Sequence, residues 1–360
     1  MLTVGIFTQY RRCEQTLAAV QFADWLRKCG ITVKMLTPTK VQKGVHAFWD
    51  NQIKKKSSEK TLYKWAYNCT HLMWFDPAVD LLQKSHLVTF NDKRRKTKNL
   101  FIPNWSNWDS RSDAFLAQAD KILCLNRDLY LWLKTFRPNG KLLSPTRVYG
   151  TIPSPDVILT PKPALACPES KKLLVYLPKN IELDIPSTFI DCLGSALSSY
   201  PHLEITLLSD RALKSTFTRK IKKVLSSYPS RFSFAFSLPY WNYCQFAKKA
   251  DWVYVANTRF SFGTTFNLFS ASTTPFICHA IPPTSSFVNN KINGLWIDCK
   301  YLSKPYPIAD VDSKEIEKKL NQAITMPKDE VLKLQLTSFS LFHQKQKAFE
   351  RLLYSEIVEV

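Results

Sequence analysis

Glycine is scarce, with eight in 360 residues. Dinucleotide and P-loop fingerprints need clustered glycines so that backbone can come close to a phosphate. Neither G-x-G-x-x-G nor a P-loop occurs here, which argues against a dehydrogenase or a P-loop NTPase. G-x-S-x-G and H-E-x-x-H are absent too, and with them those two hydrolase chemistries. The six histidines form no metal-binding spacing with one another or with cysteine, so no structural zinc site is expected. The nine cysteines are scattered, odd in number and without a C-x-x-C pair, as for buried thiols in a reducing compartment. No apolar run reaches the roughly 18 residues of a membrane span. MLTVGIFTQYRRC has neither the charge order nor the apolar core of a signal peptide. The expectation is a cytoplasmic protein without a transmembrane segment.

Acidic residues are also few. Lys and Arg number 50 against 29 Asp and Glu, a net charge of +21. Residues 1–160 carry 25 bases against 12 acids and residues 161–360 carry 25 against 17, so the first half is the more basic. Such an excess favours a polyanionic partner, either nucleic acid or an acidic membrane surface. The composition is 45% hydrophobic and 13% aromatic, enough for two domains with their own cores.

The pattern along the chain is that of α/β domains. The strand LTVGIF, the apolar-periodic helix TLAAVQFADWLRKC, Gly30 and the strand ITVKMLTP form a β-α-β unit. Ala18, Phe22, Trp25, Leu26 and Cys29 share one helix face, and Gly30 sits where a left-handed helix stop belongs. THLMWFDP, SHLVTFND and ADKILCLN read as further buried parallel strands. The prolines of TIPSPDVILTPKPALACPES interrupt the pattern as a linker. Beyond it KKLLVYLP, LEITLLS, RFSFAFS, DWVYVANT, TPFICHA and LWIDC alternate with helices. The reading is a doubly wound domain at 1–150, a linker at 151–170, a second such domain at 171–330, and a helical segment at 331–360 that crosses back to the first domain. Two such domains present two sets of strand carboxyl ends to one cleft, where ligands of open α/β sheets bind.

Two stretches carry chemistry. HLVTFNDKRRKTKNLF runs an apolar segment into Asp92 and then into Lys93, Arg94, Arg95, Lys96 and Lys98. SFGTTFNLFSASTTPFICHAIPPTSSFVNNKINGLWID, Ser261 to Asp298, places Phe262-Gly263 before a helix, Thr274-Pro275 after it, and Asn293-Gly294-Leu295 before a last strand. This second stretch resembles the donor-binding signature of GT-B nucleotide-sugar glycosyltransferases. VTFNDKRRKTK is similar in kind to the first-domain strand end of bacteriophage DNA glucosyltransferases, a GT-B group. One departure stands out: the large retaining families carry glutamates where this chain has Phe260 and Leu268.

The resemblance implies a GT-B fold of two Rossmann-like domains, the first binding the acceptor and the second the donor. It implies a transferase, hexosyl or pentosyl, taking a sugar from a UDP-sugar to a hydroxymethylated base in double-stranded DNA. Transfer would proceed with inversion, with or without a divalent ion, on a monomer. The amides of Gly263, Thr264 and Thr265 would hold the diphosphate beside Phe262. Lys179 would present a charge to the same diphosphate, and the backbone near Leu238 would meet the nucleobase. Asp92 would be the general base. Lys93, Arg94, Arg95, Lys96 and Lys98, with Lys54, Lys55, Lys56 and Arg111, would bind nucleic-acid phosphates. Two alternatives stay open: a peripheral-membrane glycosyltransferase of the cell envelope, and a non-catalytic nucleic-acid-binding protein on a degenerate GT-B scaffold.

Overall fold

In a computed structural model of the chain, the described residues are 2–8, 14–37, 41, 48–55, 64–75, 97–103, 119–125, 130–131, 133–134, 145–147, 170–178, 188–209, 212–236, 238, 240–256, 266, 269–281, 284–301, 309–310 and 312–358. They fall into two compact units, Met1–Asp156 with Gln344–Val360, and Val157–His343.

The central strands of the first unit are buried on both faces. β1 (Thr3–Phe7) leads to α1 (Glu14–Lys28), β2 (Thr32–Thr37), α2 (Trp49–Gln52) and β3 (Lys54–Lys55). β4 (His71–Phe75), β5 (Lys98–Ile102), β6 (Lys121–Cys124) and β7 (Pro145–Arg147) follow. All seven strands pair in parallel, in the order β3-β2-β1-β4-β5-β6-β7. α1 ends as its sequence requires. Gly30 adopts φ +78°, its N–H donates to the Arg27 carbonyl at 2.9 Å, and the Ile31 N–H reaches back to Leu26 at 3.0 Å. This is the paired closure of a left-handed helix stop. Ala18, Phe22, Trp25 and Leu26 are buried, whereas Cys29, expected on the same face, is exposed. The reason is position: Cys29 lies beyond the last helical turn, where the chain is already swinging into Gly30. Gly5 is required in β1 because a Cβ there would stand 2.8 Å from Cys69 Sγ and 2.9 Å from both Leu72 and Trp65.

One strand, Lys98–Ile102, is missing from the sequence reading. The place beside β4 is held by Lys98–Ile102, with His71 opposite Lys98 and Phe75 opposite Ile102. Residues 86–92, where the sequence suggests a strand ending in Asp92, lie outside the described residues. β5 escapes notice because it starts with Lys98-Asn99 behind a basic run. Asn99 is polar for a structural reason: its side chain accepts from Trp74 Nε1 at 3.1 Å, while its N–H donates to Asp120 Oδ2 at 2.6 Å.

The second unit repeats the architecture. β8 (Lys171–Leu177), α3 (Thr188–Ser199), β9 (Leu203–Ser209), α4 (Ser215–Ser227), β10 (Phe232–Phe236), α5 (Tyr240–Lys249) and β11 (Trp252–Val255) are followed by β12 (Phe276–His279), α6 (Thr284–Phe287) and β13 (Gly294–Ile297). Six parallel strands are ordered β10-β9-β8-β11-β12-β13. A small antiparallel pair, β14 (Lys300–Tyr301) and β15 (Ala309–Asp310), comes before α7 (Ser313–Thr325). The core joins Val175, Leu177, Ile205, Leu207, Tyr254 and Ile277 to helix residues such as Leu193, Ile221 and Leu320. α7 is absent from the sequence reading although its signals are present. Asp312 caps it by accepting from the Lys314 N–H at 2.9 Å, and Ile316, Leu320, Ala323 and Ile324 form its buried stripe.

The last helix, α8 (Lys328–Val358), has 31 residues. Its first half belongs to the second unit and the residues from Gln344 to the first, where Phe349 meets Phe22 edge-on with centroids 5.3 Å apart and Glu356 pairs with Lys121. Burial pushes the Lys345 ammonium down to about 8. A lysine with a folded pKa below its unfolded value destabilises the fold at neutral pH, and that penalty fades as pH climbs from the folded toward the unfolded pKa. Lys345→Met is therefore expected to melt higher than the parent at pH 7, with the gain shrinking between pH 8 and about 10.4. Paired thermal melts across that range check it, and a gain independent of pH would contradict it.

Candidate functional site

In an open α/β sheet the ligand crevice lies at the strand carboxyl ends where the strand order reverses. The first sheet reverses between β1 and β4, and the second between β8 and β11.

At the first reversal, β1 ends in Phe7, whose ring lies 5.1 Å from that of Trp74. Thr8 follows. It is fully buried, its N–H donates to the Leu36 carbonyl at 3.2 Å, and among the described residues its hydroxyl has no hydrogen-bond partner. The residue after Phe75, the last of β4, is Asp76.

At the second reversal, the Ala256 N–H donates to the Tyr176 carbonyl at 3.0 Å and joins the ends of β11 and β8. Beneath them Tyr176, Tyr243 and Phe269 form one aromatic cluster, with Tyr243 and Phe269 stacked at 6.0 Å. At the end of β12, His279 Nε2 and Tyr254 Oη are hydrogen-bonded at 3.1 Å. Both residues are completely buried, and burial drives the Tyr254 hydroxyl well above its ordinary pKa. The pair pins β11 to β12. At the outer strand, Phe236 ends β10 with half its surface exposed and stacks on Phe234 at 5.7 Å. The sequence reading passes over it, the one signal being F-x-F at a strand end ahead of Ser-Leu-Pro.

Among the residues singled out by sequence, Leu238 is half-buried just beyond β10, two strand positions from β8. The described parts of the glycosyltransferase-like signature serve the fold. Thr274 donates from its hydroxyl to the Ala247 carbonyl at 2.7 Å. Thr273 before it is left-handed at φ 63°, a position glycine more often takes. The Asn293 side chain ties the turn by donating to Phe287 at 3.0 Å and accepting from the Asn289 N–H at 2.6 Å. Gly294 admits no side chain, since a Cβ would stand 2.6 Å from the Phe276 carbonyl oxygen. The tightness of this turn accounts for the N-G-L pattern.

Lys54 and Lys55 form β3 at one edge of the first sheet, paired with the carboxyl end of β2. Lys98 begins β5, four strand positions away and opposite His71 at the amino end of β4. At about 4.8 Å per strand that is roughly 19 Å along the sheet, so the structure does not bring these bases together. Burial, aided by the Lys98 charge, holds His71 below the ordinary imidazole pKa. Asp92, Lys56, Lys93, Arg94, Arg95, Lys96, Arg111, Lys179, Phe262, Gly263, Thr264 and Thr265 lie outside the described residues. Among the described residues no group of three His, Cys, Asp or Glu could hold a metal ion, and no helix is long and apolar enough to cross a membrane.

No protein-family model and no curated protein sequence matches the chain. Solved structures do. A glycosyltransferase from Rickettsia africae ESF-5 superposes with a TM-score of 0.72 at 12% identity, covering 99% of both chains. Anabaena Alr3699/HepE in complex with UDP and glucose gives 0.72 at 10% identity over 100% of both chains. An alpha-glucosyltransferase in complex with UDP and a 13-mer DNA containing an HMU base gives 0.66 at 10% identity, again over 100% of both. The fold is GT-B. Sequence identities this low carry the architecture across and nothing finer, but they do so over the full length, including the long last helix.

Proposed function

We propose that this GT-B chain is a glycosyltransferase that moves a sugar from a UDP-sugar to a hydroxyl on a polyanionic acceptor, with a hydroxymethylated base in double-stranded DNA as the acceptor. The observation that carries the reading is the doubled parallel sheet, each half with an order reversal at which a ligand can sit, in a chain of net charge +21. Full-length similarity to enzymes solved with UDP, one of them with DNA, supports it.

In this proposal the second unit is the donor domain. The diphosphate rests on the amides of Gly263, Thr264 and Thr265 beside Phe262, with Lys179 neutralising charge that builds up as the sugar leaves. The nucleobase lies against the backbone near Leu238, and Phe236 offers its exposed ring as a stacking face. Phe236→Ala is expected to weaken UDP binding about tenfold, given the roughly 0.5–1.5 kcal/mol of an aromatic pair, without shifting the melting temperature, since the residue is already half in solvent. Calorimetric titration with UDP checks it, and unchanged affinity would remove Phe236 from the site.

The first unit is the acceptor domain in this proposal. A carboxylate takes the proton from the acceptor hydroxyl, the oxygen bonds to the anomeric carbon, the bond to the diphosphate breaks, and UDP departs with the electron pair. Displacement in one step inverts the anomeric centre, and the glutamates missing from the retaining signature are not needed for it. Resemblance assigns the base to Asp92. The sheet order favours a second candidate, because β4, not a strand at 86–92, occupies the reversal point, and Asp76 follows it directly.

Lys93, Arg94, Arg95 and Lys96 bind acceptor phosphates in this reading. Replacing all four with glutamine should weaken duplex binding and flatten its dependence on log salt by about 0.9 for each phosphate no longer neutralised. An unchanged slope would exclude that segment from the interface. The membrane alternative gains no support from the basic helix α4. Three of its four apolar residues, Phe217, Ile221 and Val224, are buried in the unit's own core, and the exposed Leu225 by itself is too little apolar surface to enter a bilayer.

A further inference from the structure

Among the described residues the outer edge of the first sheet is covered only in part beside β2. β2 pairs with β1 from Thr32 to Leu36, but β3 covers only Leu36 and Thr37. Among the described residues Thr32–Met35 therefore has no strand on its outer side. The direction of its backbone groups follows from two bonds: the Thr32 N–H donates to Leu2, and the Leu36 carbonyl accepts from Thr8. N–H and C=O of one residue point to the same side of a strand and alternate from residue to residue. Thr32, Lys34 and Leu36 thus face β1, while Val33 and Met35 turn outward.

A cavity of about 470 Å³ runs along this edge and is lined by six consecutive residues, Gly30 to Met35. Among the described residues its charged side chains are of one sign: Arg27, Lys34 and Lys54 line it. Arg27 has Asp24 beside it at 3.7 Å and lies 3.7 Å above the ring of Phe48, which is itself partly exposed. Lys34 and Lys54 are exposed and make no ion pair among the described residues.

Lysine on an edge strand is a common guard against self-association. A guard, however, needs no groove. Here the outward N–H and C=O of Val33 and the N–H of Met35 face a groove lined by three cations, the Met35 carbonyl being taken by the pairing with β3. We propose that this edge receives an extended acidic peptide segment of a partner protein, which adds a strand beside β2 and sets its carboxylates against Arg27, Lys34 and Lys54. Strand addition takes affinity from backbone bonds and selectivity from alternate side chains. The inference stands apart from the transfer reaction, because it concerns neither the donor edge nor the reversal point of the first sheet.

The test uses the full chain and a fluorescently labelled, end-blocked Glu-Val-Glu-Val-Glu-Val peptide, with anisotropy as the readout. The expected result is saturable binding that weakens with salt and is at least tenfold weaker for the Lys-Val counterpart. Val33→Pro removes an outward N–H that the β1 ladder does not use, a change edge strands tolerate, and is expected to weaken binding at least tenfold while UDP binding is unchanged. Should that variant fail to fold, Lys34→Glu reverses one surface charge and carries the same expectation. Absence of binding to the parent chain would overturn the proposal, as would full affinity in a folded Val33→Pro protein. A thymidine oligonucleotide that displaces the peptide and is itself indifferent to Val33→Pro would also overturn it, making the groove a phosphate site.

Discussion

Asp92→Asn slows transfer to hydroxymethylated DNA by about 10²–10⁴-fold, the usual cost of losing a general base, while leaving UDP-sugar and duplex affinities near those of the parent. That is the expected result if Asp92 takes the acceptor proton. The substitution keeps shape and removes only the capacity to accept, so an effect confined to turnover separates proton transfer from binding. Asp76→Asn, measured beside it, decides between the two carboxylates. The first sheet gives Asp76 its claim, since Phe75 before it ends the strand at the order reversal, and the neighbouring strand there leads into the buried Thr8. If Asp76→Asn shows the large loss and Asp92→Asn does not, the base belongs to β4 and the resemblance around Asp92 is only a basic loop with one acid in it. Near-parental rates in both would remove base catalysis by either residue.

Gly294→Ala is expected to destabilise the second unit by about 3 kcal/mol, at the upper end of overpacking costs. The added carbon would meet the Phe276 carbonyl oxygen at 2.6 Å and a Val288 methyl at 2.7 Å. Neither a carbonyl inside a strand pair nor a buried valine can turn aside as an exposed side chain would. β12 and β13 would have to part at Phe276 and Gly294, the first pair of their ladder. Urea denaturation followed by circular dichroism measures the change, and a loss below about 1 kcal/mol would show that the turn can open. The residue matters for interpretation as well: a Gly294 variant that loses activity has lost its fold, not a ligand contact.

Sequence patterning was most readable where a buried strand and a helix stripe follow each other closely. The unit from Thr3 to Thr37 and the strands of the second sheet could be located because a parallel strand buried on both faces must be apolar throughout. The order of the strands could be anticipated only as a class. β5 was hidden by its own polar start, whose Asn99 is explained by Trp74 and Asp120, residues 25 and 21 positions away. α7 carried its stripe among lysines and glutamates and went unread. At the candidate site, residues with special backbone needs were conspicuous in sequence, but the structure shows Thr274, Asn293 and Gly294 at work on turns. Thr8 and Phe236 escaped, because a threonine or phenylalanine ending a strand becomes unusual only when its burial and partners are seen.

The proposed function requires that the second sheet's carboxyl edge bind a nucleotide sugar for transfer. The most direct measurement is incubation of the purified full chain with radiolabelled UDP-glucose and hydroxymethylated duplex DNA, followed by counting label in the DNA, with UDP-glucose binding titrated in parallel. The account predicts one UDP-glucose bound per chain, label in the DNA, and loss of both in a folded Gly263→Val protein, where a branched side chain blocks the diphosphate. A folded parent chain that binds neither UDP-glucose nor UDP, and leaves the DNA unlabelled, would contradict it.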